Sequence, residues 1–131
     1  MALRVLVVDD EPDIVDLMTI WLEDDPRCKA VERAETLEQA LVVTQACNPD
    51  VILLDFRLGG QTSATVLPAL RSTCPEAKII IHTANHEEAD RAHVIALGAD
   101  AILEKATVSV DQVVEAVLSR TASTTAGGTD C

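Results

Sequence analysis

The chain has 131 residues, which suffices for one folded domain with a single core and leaves no room for a second one. Its formal net charge is -12, and its 10 basic residues stand singly, so we expect no direct binding to nucleic acid or to a membrane surface. No apolar run approaches the roughly 20 residues of a membrane helix, and the amino terminus lacks a signal-peptide pattern, which predicts a cytoplasmic protein.

An apolar run, Leu3–Val8, predicts the first strand, which ends at the acidic residues Asp9, Asp10 and Glu11. Apolar residues at helical spacing follow and predict an amphipathic helix with one buried face. These residues are Ile14, Leu17, Met18, Trp21 and Leu22. The pattern therefore places Trp21 in the core rather than at a ligand site.

A short second strand is predicted at Lys29–Glu32, after the turn residues around Pro26, and its length suits the edge of a sheet. Thr36 and Gln39 have the spacing of a capping box, which predicts the start of a second helix. Its narrow apolar stripe consists of Leu37, Ala40, Leu41 and Thr44. Asn48 and the proline after it end this helix before the next strand.

The run Val51–Leu54 is apolar without polar alternation, which is typical of a strand covered by helices on both faces, and it delivers one carboxylate, Asp55. Thr62 or Ser63 is placed to cap a third helix. Pro68 falls inside that helix and should bend it, unless the helix begins late enough to place the proline in its first turn.

The fourth strand runs through the isoleucines at 79–81 and ends at Thr83. Glu87–Leu97 predicts a fourth helix, and Gly98 suits its carboxyl cap. The thin apolar face of this helix consists of Ala92, Ile95 and Ala96. Because these side chains are small, we expect the helix to be weakly anchored.

A fifth strand, Ala101–Leu103, ends at Glu104 and Lys105. Ser109 and Gln112 have capping-box spacing and predict the start of the last helix. Its apolar stripe, the most regular in the chain, consists of Val110, Val113, Val114, Val117 and Leu118.

Strands that alternate with helices predict an α/β fold, a five-stranded parallel sheet in the order 2-1-3-4-5 with helices on both faces. That order puts the ends of the first and third strands side by side and brings Asp9 and Asp10 near Asp55. The small polar residues 121–131 predict a disordered tail or the beginning of a linker, so the folded domain is expected to span residues 1–120.

Three carboxylates at one edge of a sheet repel one another unless a cation offsets their charge. The all-oxygen set Asp9, Asp10 and Asp55 suits a hard divalent ion, and we expect Mg²⁺. Such an ion shares its shell with phosphate oxygens, and Thr83 and Lys105 can hold two more. The pattern therefore predicts phosphoryl transfer to Asp55, with an acyl phosphate as product. The alternative is that the acids are solvated loop residues, favourable near a helix amino terminus.

Together these residues resemble the receiver domain of two-component response regulators, over residues 3 to 120. The matching motifs are Val7-Val8-Asp9-Asp10-Glu11, Asp55 after its apolar strand, Thr83-Ala84, Gly98-Ala99 and Lys105. The resemblance implies a flavodoxin-like three-layer fold. It also implies that Asp55 accepts a phosphoryl group from the phosphohistidine of a sensor histidine kinase or phosphotransfer protein, or from a small phosphodonor.

The resemblance further implies how the ion is bound. Asp10 and Asp55 would bind Mg²⁺ through carboxylate oxygens, and Asp9 would hold the ion through water. The backbone carbonyl of Arg57 would complete the protein's share of the coordination shell.

In the same family the phosphoryl group draws Thr83 and Lys105 inward and shifts the face made by the fourth helix, the fifth strand and the fifth helix. That change would control an output domain or a protein partner. Receivers often pair through the fourth and fifth helices, so a homodimer is one expected assembly. The domain would catalyse only its own phosphoryl transfer and dephosphorylation and would otherwise not be an enzyme.

Four positions depart from the family pattern. Gly59 and Ser63 stand where the family often has proline and glycine, which implies a looser loop. Ala106 follows Lys105 where a proline in a cis peptide is usual, and we expect trans because a cis bond to alanine costs about 3 kcal/mol more. Ile102 replaces the aromatic residue that rotates inward in many receivers.

Two other readings compete with a phosphorylation-dependent switch. A degenerate receiver that is never phosphorylated would act as a constitutive protein-interaction module, which Ile102 and Ala106 favour and the intact acid set disfavours. A haloacid-dehalogenase-like phosphatase also uses an aspartyl nucleophile after a strand. That family has a second aspartate two residues further on, where this chain has Arg57.

Overall fold

The computed structural model describes residues 2–84 and 87–119, and a single parallel sheet organises them. Its strands are β1 (Leu3–Val8), β2 (Cys28–Ala34), β3 (Val51–Asp55), β4 (Lys78–Thr83) and β5 (Ala101–Glu104). They lie in the order β2-β1-β3-β4-β5, and every adjacent pair is parallel. The predicted fold class and strand order are confirmed. The predicted tail, residues 121–131, lies outside the described residues, and the domain bounds stay a prediction.

Five helices cover the two faces of the sheet. They are α1 (Pro12–Glu23), α2 (Leu37–Cys47), α3 (Leu67–Thr73), α4 (Glu88–Leu97) and α5 (Val110–Leu118). Successive side chains of a strand point to opposite faces. In β3, Leu53 therefore packs in a core with α1 and α5, whereas Ile52 and Leu54 pack in a core with α2, α3 and α4. The apolar run of β3 is covered on both faces, as its sequence predicts.

The prediction for the buried face of α1 is wrong at two positions. The side chains that the helix buries are Val15, Met18 and Leu22, whereas Leu17 is 38% exposed and Trp21 is 45% exposed. Because α1 packs against β2 and α5, the side of the helix that carries Met18 and Leu22 is buried, and Trp21 faces solvent. Trp21 is thus a surface residue and not part of the core.

The predicted apolar face of α4 is also wrong. Ala92, Ile95 and Ala96 are exposed, and Val94 is the one buried residue of the helix. Val94 packs in the core and Leu97 packs partly buried against it, which turns the side of the helix that carries Ile95 toward solvent. The helix ends as predicted at Gly98, which adopts a φ of +123°.

Several local predictions agree with the structure. Thr36 accepts a hydrogen bond from the Gln39 backbone N–H at the start of α2, and Ser109 and Gln112 form a complete capping box on α5. The third helix begins late, at Leu67, after a 3-10 turn, so Pro68 lies in the first turn and does not bend it. The second strand departs from its prediction: it has seven residues and pairs with β1 from Cys28 to Ala34, with a register shift at Lys29.

The loop after β3 is a tight hairpin. Arg57 pairs with Thr62 and Leu58 with Gln61, and the turn between them is Gly59-Gly60, with φ of +56° and +82°. Only residues without a Cβ adopt these angles readily, so the glycines set the shape of the loop beside Asp55. None of the helices within the described ranges has both the length and the apolar content needed to span a membrane.

Candidate functional site

Three carboxylates meet at the carboxyl edge of the sheet, as the strand order predicts. Asp9 and Asp10 follow β1, and Asp55 ends the neighbouring strand β3. One oxygen from each lies within 4.8 Å of the others. Asp9 is buried, Asp55 is half-buried and Asp10 is exposed, so the cluster opens to solvent on one side.

Lys105 supplies the counter-charge within this cluster. Its Nζ lies 3.2 Å from Asp9 Oδ2, 3.3 Å from Asp55 Oδ2 and 3.7 Å from Glu11 Oε1. Burial disfavours the charged ammonium, but attraction to Asp55 and Asp9 outweighs it and raises the pKa of Lys105. The ammonium therefore stays protonated and bridges the ends of β1 and β3.

The surroundings of Asp55 disfavour its charged form even though Lys105 lies beside it. Burial and then repulsion from Asp9 raise the pKa of Asp55 to about 6, although Lys105 and the backbone N–H of Arg57 both favour the carboxylate. A single ammonium is too little charge to offset three carboxylates. Near neutral pH, a proton and a cation would compete for the same oxygens.

The donor set fits a hard divalent cation. All the side-chain donors are carboxylate oxygens, without histidine or cysteine, which is the ligand type that Mg²⁺ and Ca²⁺ prefer. Asp9 is held in place through Oδ1, which accepts the Glu11 backbone N–H at 2.9 Å. Asp10 Oδ2 accepts the Gly59 backbone N–H at 3.4 Å. Arg57 lies in the hairpin directly after Asp55, and its carbonyl as a ligand stays a prediction.

Thr83 and His82 complete the edge from β4. Thr83 is 5% exposed, and its carbonyl accepts the Lys105 backbone N–H at 2.8 Å, which joins the ends of β4 and β5. His82 pairs in register with Asp55 and is equally buried. Burial and the charge of Lys105 lower the pKa of His82 to about 4, so its imidazole is neutral at neutral pH. The sequence pattern did not indicate that His82 is buried against the acid cluster.

A small cleft lies behind Thr83, between α4 and the sheet. Its lining includes Phe56, Ile81, Thr83, Arg91, Val94 and Ile102. Ile102 is partly buried against the core on this side. The peptide between Lys105 and Ala106 is trans, as predicted.

An ion pair at the rim of this cleft is missing from the sequence predictions. Arg91 Nη1 on α4 donates to Glu104 Oε2 at the end of β5, at 3.2 Å. The two residues are 13 positions apart on different elements. No motif or helical spacing indicates the pair, because only the packing of α4 onto the sheet brings them together.

Comparisons with known proteins agree with this architecture. The family model of the response regulator receiver domain matches residues 5–118. Among characterised proteins, the chain is 34% identical over 102 residues to the nitrate/nitrite response regulator protein NarP of Escherichia coli, covering 78% of this chain and 47% of NarP. It is 35% identical over 86 residues to a protein-glutamate methylesterase/protein-glutamine glutaminase of Myxococcus xanthus, covering 66% of this chain and 24% of that protein. The match thus spans less than half the length of either relative.

Solved structures give the same result. The signal receiver domain of the response regulator NarL from Mycobacterium tuberculosis is 31% identical, with a TM-score of 0.81 over 89% of this chain and 94% of that one. A response regulator from Burkholderia pseudomallei is 28% identical, with a TM-score of 0.80 over 92% of this chain and 68% of that one. The latter structure contains a phosphorylated aspartic acid, a calcium ion and citrate.

Proposed function

Since this chain belongs to the response regulator receiver domain family, we propose that it is a phosphorylation-dependent switch in which Asp55 accepts the phosphoryl group. The observation that carries the proposal is the position of Asp55. It lies at the end of the central strand, beside Asp9 and Asp10 and 3.3 Å from Lys105. The phosphorylated aspartic acid and the calcium ion in the Burkholderia relative support the same assignment.

In the proposed reaction an Asp55 carboxylate oxygen attacks the phosphorus atom of the donor and forms an O–P bond. The bond from phosphorus to the donor nitrogen or oxygen breaks, and the leaving group keeps the electron pair. When bound by Asp9, Asp10, Asp55 and the Arg57 carbonyl, Mg²⁺ would neutralise charge on the carboxylates and on the phosphoryl oxygens. The raised pKa of Asp55 supports this arrangement, since the carboxylate needs more positive charge than Lys105 provides.

Two neighbouring side chains would hold the product. Lys105, already placed against Asp55, would pair with a phosphoryl oxygen, and the Thr83 hydroxyl would donate a hydrogen bond to another. Both residues belong to the joined ends of β4 and β5. Their movement would therefore be transmitted to α4 and to the face formed with β5 and α5.

The partners follow from this role. Receiver domains interact with histidine kinases and with output domains, and we propose a sensor histidine kinase or phosphotransfer protein as donor and an output domain or separate protein as reader. We further propose a cytoplasmic regulatory domain that acts on no substrate beyond its own Asp55, with a homodimer as one form. Because the chain spans less than half of its characterised relatives, the attached activity of any longer protein is not assigned.

The direct test is intact-mass spectrometry after incubation with Mg²⁺ and acetyl phosphate, beside an Asp55→Asn control. We expect the gain of one phosphoryl group that depends on Mg²⁺, is lost on treatment with hydroxylamine and is absent from the control. No gain in protein shown to be folded would refute the proposal. It would favour the second candidate, a phosphorylation-independent interaction module, which Ile102 in place of the aromatic residue supports.

A further inference from the structure

We propose that the ion pair between Arg91 and Glu104 is a latch that opposes the response of this domain to phosphorylation of Asp55. The inference rests on the proposed function and concerns its regulation. In this chain the latch would take the place of an aromatic side chain at position 102 in setting how readily α4 and β5 rearrange.

Helix α4 is weakly attached to the sheet. Val94 is the one buried residue of this helix, so apolar burial holds α4 less firmly than it holds α5, which buries four side chains. A polar tie from Arg91 to the sheet therefore adds to the apolar contacts that position α4. The pair is 3.2 Å long, and its side chains are 34% and 25% exposed, so solvent screens it only in part.

Glu104 lies beside Thr83 and Lys105 at the end of the sheet. Glu104 pairs in register with Thr83 on β4 and directly precedes Lys105, whose backbone N–H donates to the Thr83 carbonyl. Thr83 and Lys105 are the two residues that the proposed function draws toward a phosphoryl group on Asp55. Any such shift moves the backbone of Glu104 relative to Arg91, and it must stretch or break the ion pair.

A cleft lies beside the ion pair, with Arg91 in its lining. It is small and presents mainly apolar atoms, so it suits the movement of an apolar side chain better than a polar ligand. Thr83 and Ile102 both line it, and Arg91 stands at its rim. The cleft provides space for rearrangement beside Arg91.

The test compares phosphorylation rates of wild type, Arg91→Gln and Glu104→Gln, using acetyl phosphate with Mg²⁺ and intact mass as readout. If the pair is a latch, both substitutions release it and both should accelerate phosphorylation by about two- to fivefold, as expected for a partly exposed ion pair. The double variant should be no faster than the faster single variant, since both changes remove the same ion pair. Arg33→Gln, which breaks the pair with Asp16 on the far side of the sheet, is the matched control and should leave the rate unchanged.

The two single variants separate the latch from simple electrostatics. Arg91→Gln makes the site more negative and Glu104→Gln makes it less negative, so charge alone would change the rate for an anionic donor in opposite directions. Rate changes in opposite directions, rates equal to that of wild type, or slowing in both variants would each overturn the latch while leaving phosphorylation of Asp55 established. If wild type takes up no phosphoryl group, the proposed function itself fails and the latch fails with it.

Hydrogen exchange provides a readout without any donor. Loss of the tie should speed amide exchange in Glu88–Leu97 in both glutamine variants, whereas exchange in α5 should not change. Unchanged protection of α4 in both variants would show that the ion pair does not anchor this helix, and the proposal would fall.

Discussion

The ammonium of Lys105 reaches across the end of β4 to lie 3.3 Å from the carboxylate of Asp55, a residue 50 positions earlier in the chain. Lys105 follows β5, and Asp55 ends β3, so the two strands are not neighbours in the sheet. The long lysine side chain spans this gap and also contacts Asp9 on β1. The charge balance of the whole edge therefore depends on one residue.

Replacing Lys105 should raise the pKa of Asp55. The ammonium is one of the groups that favour the carboxylate, opposing burial and the repulsion of Asp9. In Lys105→Gln the pKa of Asp55 should therefore lie above its wild-type value of about 6. A carboxyl-carbon NMR titration without divalent cations measures this directly. Arg33→Gln should leave the titration unchanged, and an unchanged or lower pKa in Lys105→Gln would contradict the arrangement.

Replacing Asp55 by asparagine should stabilise the protein in the absence of divalent cations at about pH 8 and not at about pH 4. Folding raises the pKa of Asp55 from 3.8 to about 6, so the folded state binds this proton more tightly than the unfolded state. The contribution of Asp55 to stability is therefore most favourable below the unfolded pKa and is lost as the pH rises through about 6. After allowance for partial solvent exposure, we expect a gain of about 1 to 2 kcal/mol in the free energy of unfolding.

Urea denaturation of Asp55→Asn and wild type at the two pH values tests this prediction. Saturating Mg²⁺ should raise the stability of wild type more than that of the variant, because the variant lacks one carboxylate ligand. Equal stability of the two proteins at the higher pH would mean that Asp55 is not destabilised by its surroundings.

A buried hydroxyl on α1 provides a stability prediction away from the site. Thr19 Oγ1 is buried and has no hydrogen-bond partner among the described residues, whereas Thr44 Oγ1 on α2 donates to the Leu41 carbonyl at 2.8 Å. Thr19→Val should raise the free energy of unfolding by about 0.5 to 1 kcal/mol, and Thr44→Val should lower it by about 1 kcal/mol. Thermal or urea unfolding of the pair measures the contrast, and a loss of stability in Thr19→Val would refute it.

Arg71 should be the most costly charged side chain to remove. Its guanidinium joins α3 to the segments before β4 and before β5. The groups that accept its hydrogen bonds are the carbonyls of Pro75, Ala77 and Gly98 and the carboxylate of Asp100. Arg71→Ala leaves partly buried acceptors unsatisfied, so we expect a loss of about 2 to 4 kcal/mol in the free energy of unfolding. Arg33→Ala, at an exposed single pair, should change it by less than about 1 kcal/mol. Similar losses in the two variants would contradict the prediction.

The sequence pattern predicts which residues are buried better for the central strand than for the helices. The run Val51–Leu54 could be identified because a strand covered on both faces has apolar side chains in either direction. Helix α1 has more apolar residues than its buried side can accommodate. Their spacing therefore does not indicate that Trp21 faces solvent. On α4 the apolar residues lie on more than one side of the helix, and packing places Val94 in the core while Ile95 is 47% exposed.

The sequence by itself determined the sheet, its order and the meeting of Asp9, Asp10 and Asp55 at one edge. Apolar runs and alternating helices limit the topology, and parallel strands end at the same side. Only the tertiary structure decided that Lys105 bridges Asp9 and Asp55, that His82 is buried and that Arg91 pairs with Glu104. These features depend on distances of a few ångströms between side chains far apart in the chain, and such distances follow from packing rather than from local pattern.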